Sequence, residues 1–305
     1  MTEPTSSHLE TSMKKLVAVT ANIEDNGRTS AQRQKAREIL RSIGPDIVFR
    51  QELPGAHYEG YRELQQEANF LGGLVAFMCL PQPGKASRPV GVMVSPTVFE
   101  ILSHEERGQG WKPACIVRVR FRGTDRVLQL ASHHLCHNDG ATRATEALGL
   151  TDLADHGGTA LIGMDANSYP VPSPLEVTLP NLDSIDDPVH FEHRTIWRDG
   201  QRVPDTAPDE ILTGAHRKGS RPGPFIDLGR YAAYNLGQPE ALTPTASLHR
   251  TDQGPRTRID RIYATPNLAP ALTSVTVDAG DDVVAVTDHA LVVATFDRKR
   301  MIEAL

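Results

Sequence analysis

Residues 15–52 read KLVAVTANIEDNGRTSAQRQKAREILRSIGPDIVFRQE, and this stretch sets the fold class. Residues 15–22 form a short β-branched run of the kind that makes a buried strand. Thr29 and Ser30 offer a helix cap, after which Ala36, Ile39, Leu40 and Ile43 recur at helical spacing until Gly44-Pro45 stops them. Residues 46–49, DIVF, begin a second strand that runs into Arg50, Gln51 and Glu52. Strand, helix and strand in that order predict alternating α/β architecture.

Outward from this start the chain continues in the same idiom. GGLVAFMCL (72–80), VGVMVS (90–95), ACIVRVRF (114–121) and RVLQLASHHL (126–135) read as successive strands, the last two joined through Gly123-Thr124-Asp125 as a hairpin. Residues 140–156 predict a helix with Ala144, Ala147, Leu148, Leu150 and Leu153 on its apolar side, and TALIGM (159–164) predicts a strand. From Ser168 to about residue 255 the chain turns rich in proline, glycine, histidine and charge. We expect long loops and short helices over the sheet ends there, where binding specificity resides. Strand pattern resumes in RIDRIYAT (258–265), LTSVTVDA (272–279) and ALVVATF (290–296). Strands on both sides of the irregular stretch favour one domain over 14–300, preceded by a polar, flexible tail at 1–13.

Composition narrows the function. Across 305 residues, 39% are hydrophobic and 23% charged, enough to bury a large core. Thirty-two basic against 38 acidic side chains leave a net charge of −6. That balance excludes a strongly basic nucleic-acid coat but not an enzyme with a small nucleic-acid footprint. Aromatic residues, at 5%, give little support for a stacking platform on single strands. No apolar run reaches the roughly 18 residues of a membrane span, and residues 1–13 lack the apolar core of a secretory signal. Cys79, Cys115 and Cys136 are odd in number and widely spaced, which suits a reducing cytoplasm.

Polar residues gather at predicted strand ends: Asn22, Gln51-Glu52, His133-His134, Asp165-x-Asn167, Asp260 and Asp288-His289. Strand ends collect at one rim of a sheet, so residues distant in sequence can meet there. Asp165 and Asn167 share a face if their strand continues through them. Each is an ordinary turn or capping residue when taken singly. Their order is the informative part. TAN (20–22), RQE (50–52), SHHL (132–135), GMDAN (163–167), RID (258–260) and TDH (287–289) together resemble the endonuclease/exonuclease/phosphatase superfamily of metal-dependent phosphoesterases over nearly the whole chain.

This resemblance implies a DNase-like four-layer sandwich, two packed mixed β-sheets flanked by helices, with the site at one rim. It implies a divalent cation, Mg²⁺ or Mn²⁺, with Glu52 as principal ligand and Asn22 and Asp288 as direct or water-mediated partners. Asp165 would position or deprotonate the attacking water, and Asn167 would hydrogen-bond a phosphate oxygen. His289, steadied by Asp260, would contact the phosphate or exchange a proton, with His134 as the second histidine on the phosphate or leaving group. The residue types suit the chemistry independently. Carboxylates and amides make a hard oxygen site, and histidine titrates near neutrality.

The run HHLCH (133–137) invites a zinc reading, but as a strand it would put His134 and Cys136 on one face and His133 and His137 on the other. Neither pair makes a tetrahedral zinc set. Two features depart from the family's pattern. Arg50 stands where an apolar residue is usual, predicting a more polar strand end. SHHL stands where apurinic endonucleases carry a tyrosine motif, which sets abasic-site repair in doubt. Within the irregular region His190, Arg194, Arg217 and Lys218 are candidate substrate contacts, whereas Arg143 and Glu146 read as an exposed helix ion pair. The expectation is a phosphatase or phosphodiesterase acting on a phosphorylated small molecule or nucleotide, without a membrane. The competing expectations are a nuclease on the same scaffold, with nucleic acid as substrate, and a catalytically silent binding module.

Overall fold

The computed structural model describes residues 15–82, 85–107, 110–215, 222–250 and 255–305. Strand β1 (Lys15–Asn22) passes through helix α1 (Ser30–Ile43) to β2 (Ile47–Gln51), and β1 and β2 pair in parallel as the opening pattern predicts. The Thr29 side chain accepts the Gln32 amide at the start of α1, and Gly44 closes it at φ 66°. Then come α2 (Tyr58–Phe70), β3 (Val75–Met78), β4 (Gly91–Val94), β5 (Phe99–Arg107), β6 (Ala114–Phe121) and β7 (Val127–His134). The order continues with α3 (Gly140–Leu150), β8 (Ala160–Asp165), α4 (Pro188–Arg194), β9 (Thr195–Arg198), β10 (Gln201–Pro204), α5 (Ala207–Thr213), β11 (Ile226–Asp227) and α6 (Leu228–Asn235). It ends with β12 (Asp260–Ala264), β13 (Leu272–Asp278), α7 (Asp281–Val284), β14 (Leu291–Asp297) and α8 (Arg298–Ala304).

Two six-stranded sheets carry the fold, in the orders β13-β14-β1-β2-β4-β3 and β11-β12-β8-β7-β6-β5. Each is mixed: β1–β2 and β7–β8 run parallel, and the other pairs are antiparallel. Period-2 alternation sorts the strand residues into layers. Leu16 and Ala18, Ile47 and Phe49, Leu128 and Leu130, and Leu161 face a shared core between the sheets. Val19, Ala21 and Val48 face outward onto Ala36 and Leu40 of α1 and Leu64 and Ala68 of α2. On the other sheet Ala131, Ile162 and Met164 face Ala147 and Leu150 of α3 and Leu212 of α5. The result is the expected four-layer helix–sheet–sheet–helix sandwich. No described helix is long and apolar enough to cross a membrane.

The same alternation builds the rim. Continuing inward-facing rows turn polar at the strand ends: Thr20 and Asn22 after Ala18, Gln51 after Phe49, Ser132 and His134 after Leu130, and Asp165 two residues beyond Gly163. These polar ends link the sheets. Gln51 Nε2 donates to Ser132 Oγ at 3.1 Å, Ser132 Oγ donates to the Arg50 carbonyl at 3.0 Å, and Asn22 Nδ2 donates to Asp165 Oδ2 at 2.9 Å. Such closeness requires Gly163, because a Cβ there would stand 2.2 Å from Phe49 Cδ2.

Several expectations need correction. The 140–156 helix ends at Leu150, and a separate 3-10 segment, Thr151–Gly157, follows with Asp155 and His156 outside helical geometry. Helix α2 and strand β5 were not legible in the sequence. The first turn of α2 has left-handed Glu59, Gly60 and Tyr61, and β5 is a largely exposed, charged edge strand. The 168–255 region does carry short helices and a β9–β10 hairpin, but α6 also sends Leu228 and Ala232 into the inter-sheet core. Arg143 and Glu146 are not an exposed pair. Chain segments cover that helix face, and both side chains are buried. Arg143 Nε donates to Asp205 Oδ2 at 2.8 Å, and Glu146 accepts the Trp111 and Cys136 amides, each at 2.7 Å.

Gly163→Ala therefore overpacks the contact with Phe49 and is expected to destabilise the fold by about 1–3 kcal/mol. A urea denaturation midpoint equal to that of the parent protein would show that the sheets have slack at this point.

Candidate active site

Asn22, at the end of β1, lies beside two other polar residues of the rim. Its Nδ2 donates to Asp165 and lies 3.4 Å from His289 Nε2. Asp165 is 1% exposed and each of its oxygens accepts a hydrogen bond: Oδ1 takes the Asn167 amide at 2.9 Å, and Oδ2, bonded by Asn22, also lies 3.3 Å from His134 Nε2. Burial alone would raise its carboxyl. His134, His289 and Arg194 with the Asn167 amide outweigh that and hold it well below the usual carboxylate range. Burial, then the nearby Lys112 charge, drive His134 well below 6.5, so this ring is neutral near pH 7. Its 3.3 Å approach to Asp165 is thus the contact of a neutral ring with a carboxylate, and not an ion pair.

His289 has the opposite charge state. Burial disfavours its imidazolium, but Asp260 Oδ2 lies 2.9 Å from Nδ1 and, with Asp165 and Glu52, lifts the pKa to about 10. Burial pushes the Asp260 carboxyl up in turn. Thr287 of the TDH triplet fixes this corner: its Oγ1 accepts the His289 amide and donates to the Asn22 carbonyl at 2.8 Å. One ligand atom each from Asp165, Asp260 and His289 lies within 4.8 Å of the others, a cluster that could hold a divalent cation.

Glu52 follows β2 in the left-handed region, at φ 55°, and Asn167 follows β8 at φ 48°. For residues with a Cβ these are strained conformations of the kind that concentrate at functional sites. The kink at Asn167 corrects the expectation of strand alternation, since β8 ends at Asp165. Asn167 Nδ2 donates to the Leu135 carbonyl at 3.0 Å, and its own carbonyl accepts Arg194 Nη1. Glu52 Oε2 accepts the Asp25 amide at 2.8 Å and lies 3.4 Å from Arg88 Nε. Arg50 corrects another expectation. It does not make an open polar strand end but is 1% exposed, pairs with Glu67 at 2.7 Å, and donates to the Ala21 and Gln51 carbonyls just before Asn22 and Glu52.

A cavity of about 410 Å³ opens over this rim. Glu52, His134, Asp165, Asn167, Asp288 and His289 line it, with His190 and Arg194 on the wall made by α4. Asp288 Oδ1 accepts the His249 amide at 2.8 Å. Asp260 sits behind His289 through their hydrogen bond. Arg217 and Lys218 lie outside the described residues. In HHLCH the strand ends at His134, so alternation does not extend to His137, which joins His134 on the cavity wall while His133 is buried. The sequence reading missed Lys85, Arg88, Trp111, Lys112 and His137 on the same wall. They sit in loops, where periodicity gives no signal.

The raised His289 pKa has a consequence for stability. The imidazolium's attraction to Asp260 is fully present below the unfolded pKa near 6.5 and is lost as pH rises toward about 10. In chelator, the melting temperature of the parent protein should exceed that of His289→Gln most at about pH 6 and least at about pH 10. A gap that stays constant across this range would contradict the charged pair.

Residues 19–289 match the Endonuclease/Exonuclease/phosphatase family. No curated protein is similar enough in sequence to count as a match. Among solved structures, the endonuclease/exonuclease/phosphatase from Bacteroides vulgatus superposes with a TM-score of 0.63 at 16% identity, covering 92% of this chain and 98% of that one. The human Nocturnin catalytic domain with bound sulfate anion gives 0.61 at 12% identity, with 93% and 94% covered. Truncated Caenorhabditis elegans TDP2 gives 0.57 at 17% identity, with 93% and 98% covered. The family match over most of the chain, on a sandwich whose acids, amides and imidazoles converge at one rim, makes this chain a member of the endonuclease/exonuclease/phosphatase family of metal-dependent phosphoesterases.

Proposed function

We propose that the chain is a Mg²⁺- or Mn²⁺-dependent hydrolase that attacks phosphate esters with water in line with the leaving group, without a covalent enzyme intermediate. The observation that carries this is the convergence of Glu52, His134, Asp165, Asn167 and His289 on one cavity, with ligand atoms of Asp165, Asp260 and His289 within 4.8 Å of one another.

The donor set fits a hard cation. Asn22 Oδ1 is buried without a hydrogen-bond partner among the described residues, and Glu52 offers its carboxylate to the cavity. Glu52 as principal ligand, with Asn22 and Asp288 nearby, would hold the ion. Bound there, it polarises a phosphoryl oxygen and offsets the negative charge that repels a nucleophile. The Asp165–Asp260–His289 cluster is a less favourable seat, because the His289 imidazolium repels a cation.

The remaining steps belong to side chains. Asp165, kept ionised by its donors, orients water and takes its proton as oxygen bonds to phosphorus. His289 enters the reaction as the acid. It hydrogen-bonds the phosphate and gives a proton to the departing oxygen as the phosphorus–oxygen bond breaks, and Asp260 keeps it charged until then. Neutral His134 and Asn167 are polar contacts for phosphate oxygens that add no negative charge beside the substrate. His190 and Arg194 on the α4 wall are the substrate contacts of this reading. The free, buried Cys79, Cys115 and Cys136 support a reducing, cytoplasmic setting.

A nuclease would use the same rim, so the substrate decides between the readings. The preferred one expects release of phosphate from p-nitrophenyl phosphate, nucleotides or sugar phosphates with Mg²⁺ or Mn²⁺, abolished by chelator, with little nicking of plasmid DNA or cleavage of RNA. Glu52→Gln and His289→Ala should each lower kcat by about 10²–10⁴-fold with far-UV circular dichroism unchanged. Full activity in either variant would refute its role.

A further inference from the structure

Lys112 lies in the loop before β6 and is 4% exposed, yet it lines the cavity. Among the described residues its ammonium has no hydrogen bond and no carboxylate within ion-pair distance, although Glu52, Asp165 and Glu146 all act on it from farther away. A buried cation without a direct partner is unfavourable in isolation, and here its backbone is fixed in place. Glu146 Oε1 accepts the Trp111 amide at 2.7 Å and the Lys112 amide at 3.3 Å, so α3 anchors the loop while leaving Nζ unpaired.

Arg194 completes the arrangement from the α4 side. Its Nη1 donates to the Asn167 carbonyl, and among the described residues it too has no carboxylate ion pair. Both cations act on the Asp165 corner of the cavity. The cavity thus carries, beside its acids, two cations that lack close counterions among the described residues.

We propose that Lys112, together with Arg194, forms an anion subsite for the scissile phosphate, and that the substrate class is accordingly a phosphomonoester rather than a phosphodiester. This rests on the phosphoesterase reading and deepens it. A monoester carries close to two negative charges near neutral pH and presents three terminal oxygens, whereas a diester carries one charge and needs room for a substituent on each side of phosphorus. Arg88, Lys112, Arg194 and Arg250 stand around the cavity, whose volume of about 410 Å³ suits a small ligand. Lys112 therefore acts as a substrate-binding residue whose counterion is the phosphate itself.

The test compares p-nitrophenyl phosphate with bis-p-nitrophenyl phosphate in Mg²⁺ or Mn²⁺, for the parent protein and for Lys112→Met, which keeps the length of the apolar stem. The parent should have the higher kcat/KM on the monoester. Lys112→Met should lose about 10²-fold on the monoester and far less on the diester, with no fall in melting temperature. Equal losses on both substrates, or a parent that prefers the diester, overturns the proposal, and the second outcome does so even if the variant folds poorly. If neither ester turns over with any metal, the phosphoesterase reading fails by itself. Calorimetry with inorganic phosphate in chelator then decides the subsite: binding by the parent that Lys112→Met weakens supports it, and no binding by the parent overturns it.

Discussion

The site depends on how closely the two sheets approach at their polar rim. Phe49 on β2 occupies the space that a side chain on residue 163 would need, and only glycine leaves that space open. With the sheets at that separation, inward-facing rows that are apolar in the core end as opposed polar groups close enough to bond. Asn22 reaches Asp165 across the gap, and Gln51 reaches Ser132. Widening this gap would weaken those bonds first, because hydrogen bonds fade steeply with distance while apolar contacts between larger side chains adapt. Packing in the core thereby sets the geometry of the chemistry at its edge.

Charge is arranged around this rim in layers. The buried Arg50–Glu67 pair holds the β1 and β2 backbones from behind, through the Ala21 and Gln51 carbonyls. Arg143, paired with Asp205, donates to the Cys136 and His193 carbonyls and so ties the stretch after β7 to the C-terminal end of α4. Both arginines have their own carboxylates, so their charge is spent on fixing backbone. The groups that face the cavity differ: Asp165 is held ionised, His289 charged, His134 neutral and Lys112 without a direct partner. Neighbouring groups kept in different protonation states are what acid–base and anion-binding chemistry requires.

Most of the candidate site was legible in the sequence because its members sit at or beside the first or last residues of strands, and strand termini share a rim whatever lies between them. TAN, RQE, GMDAN, RID and TDH each place a polar residue where an apolar inward row runs out. The fold was legible for the same reason, with β1, α1 and β2 carrying clean periodicities. What escaped detection lacked a period. Helix α2 opens on left-handed residues, β5 is a charged edge strand, and Lys112 sits in a loop whose position is set by Glu146, 34 residues away. Arg143 and Glu146 misled for a related reason. Three-residue spacing on a helix signals an ion pair only where the face meets water, and sequence spacing does not reveal which loops cover it.

The two imidazoles show why residue type alone underdetermines mechanism. His134 and His289 are the same chemical group on one cavity, and from sequence either could have been the acid. Three-dimensional context separates them. His289 has a buried carboxylate behind it at 2.9 Å, whereas His134 Nδ1 is buried without a partner among the described residues and the ring feels the positive charge of Lys112. A carboxylate behind an imidazole favours the proton, and a cation nearby repels it. The proposed roles of His289 as proton donor and His134 as neutral contact rest on which charge each ring faces, and Lys112 contributes to that division as well as to the charge of the cavity.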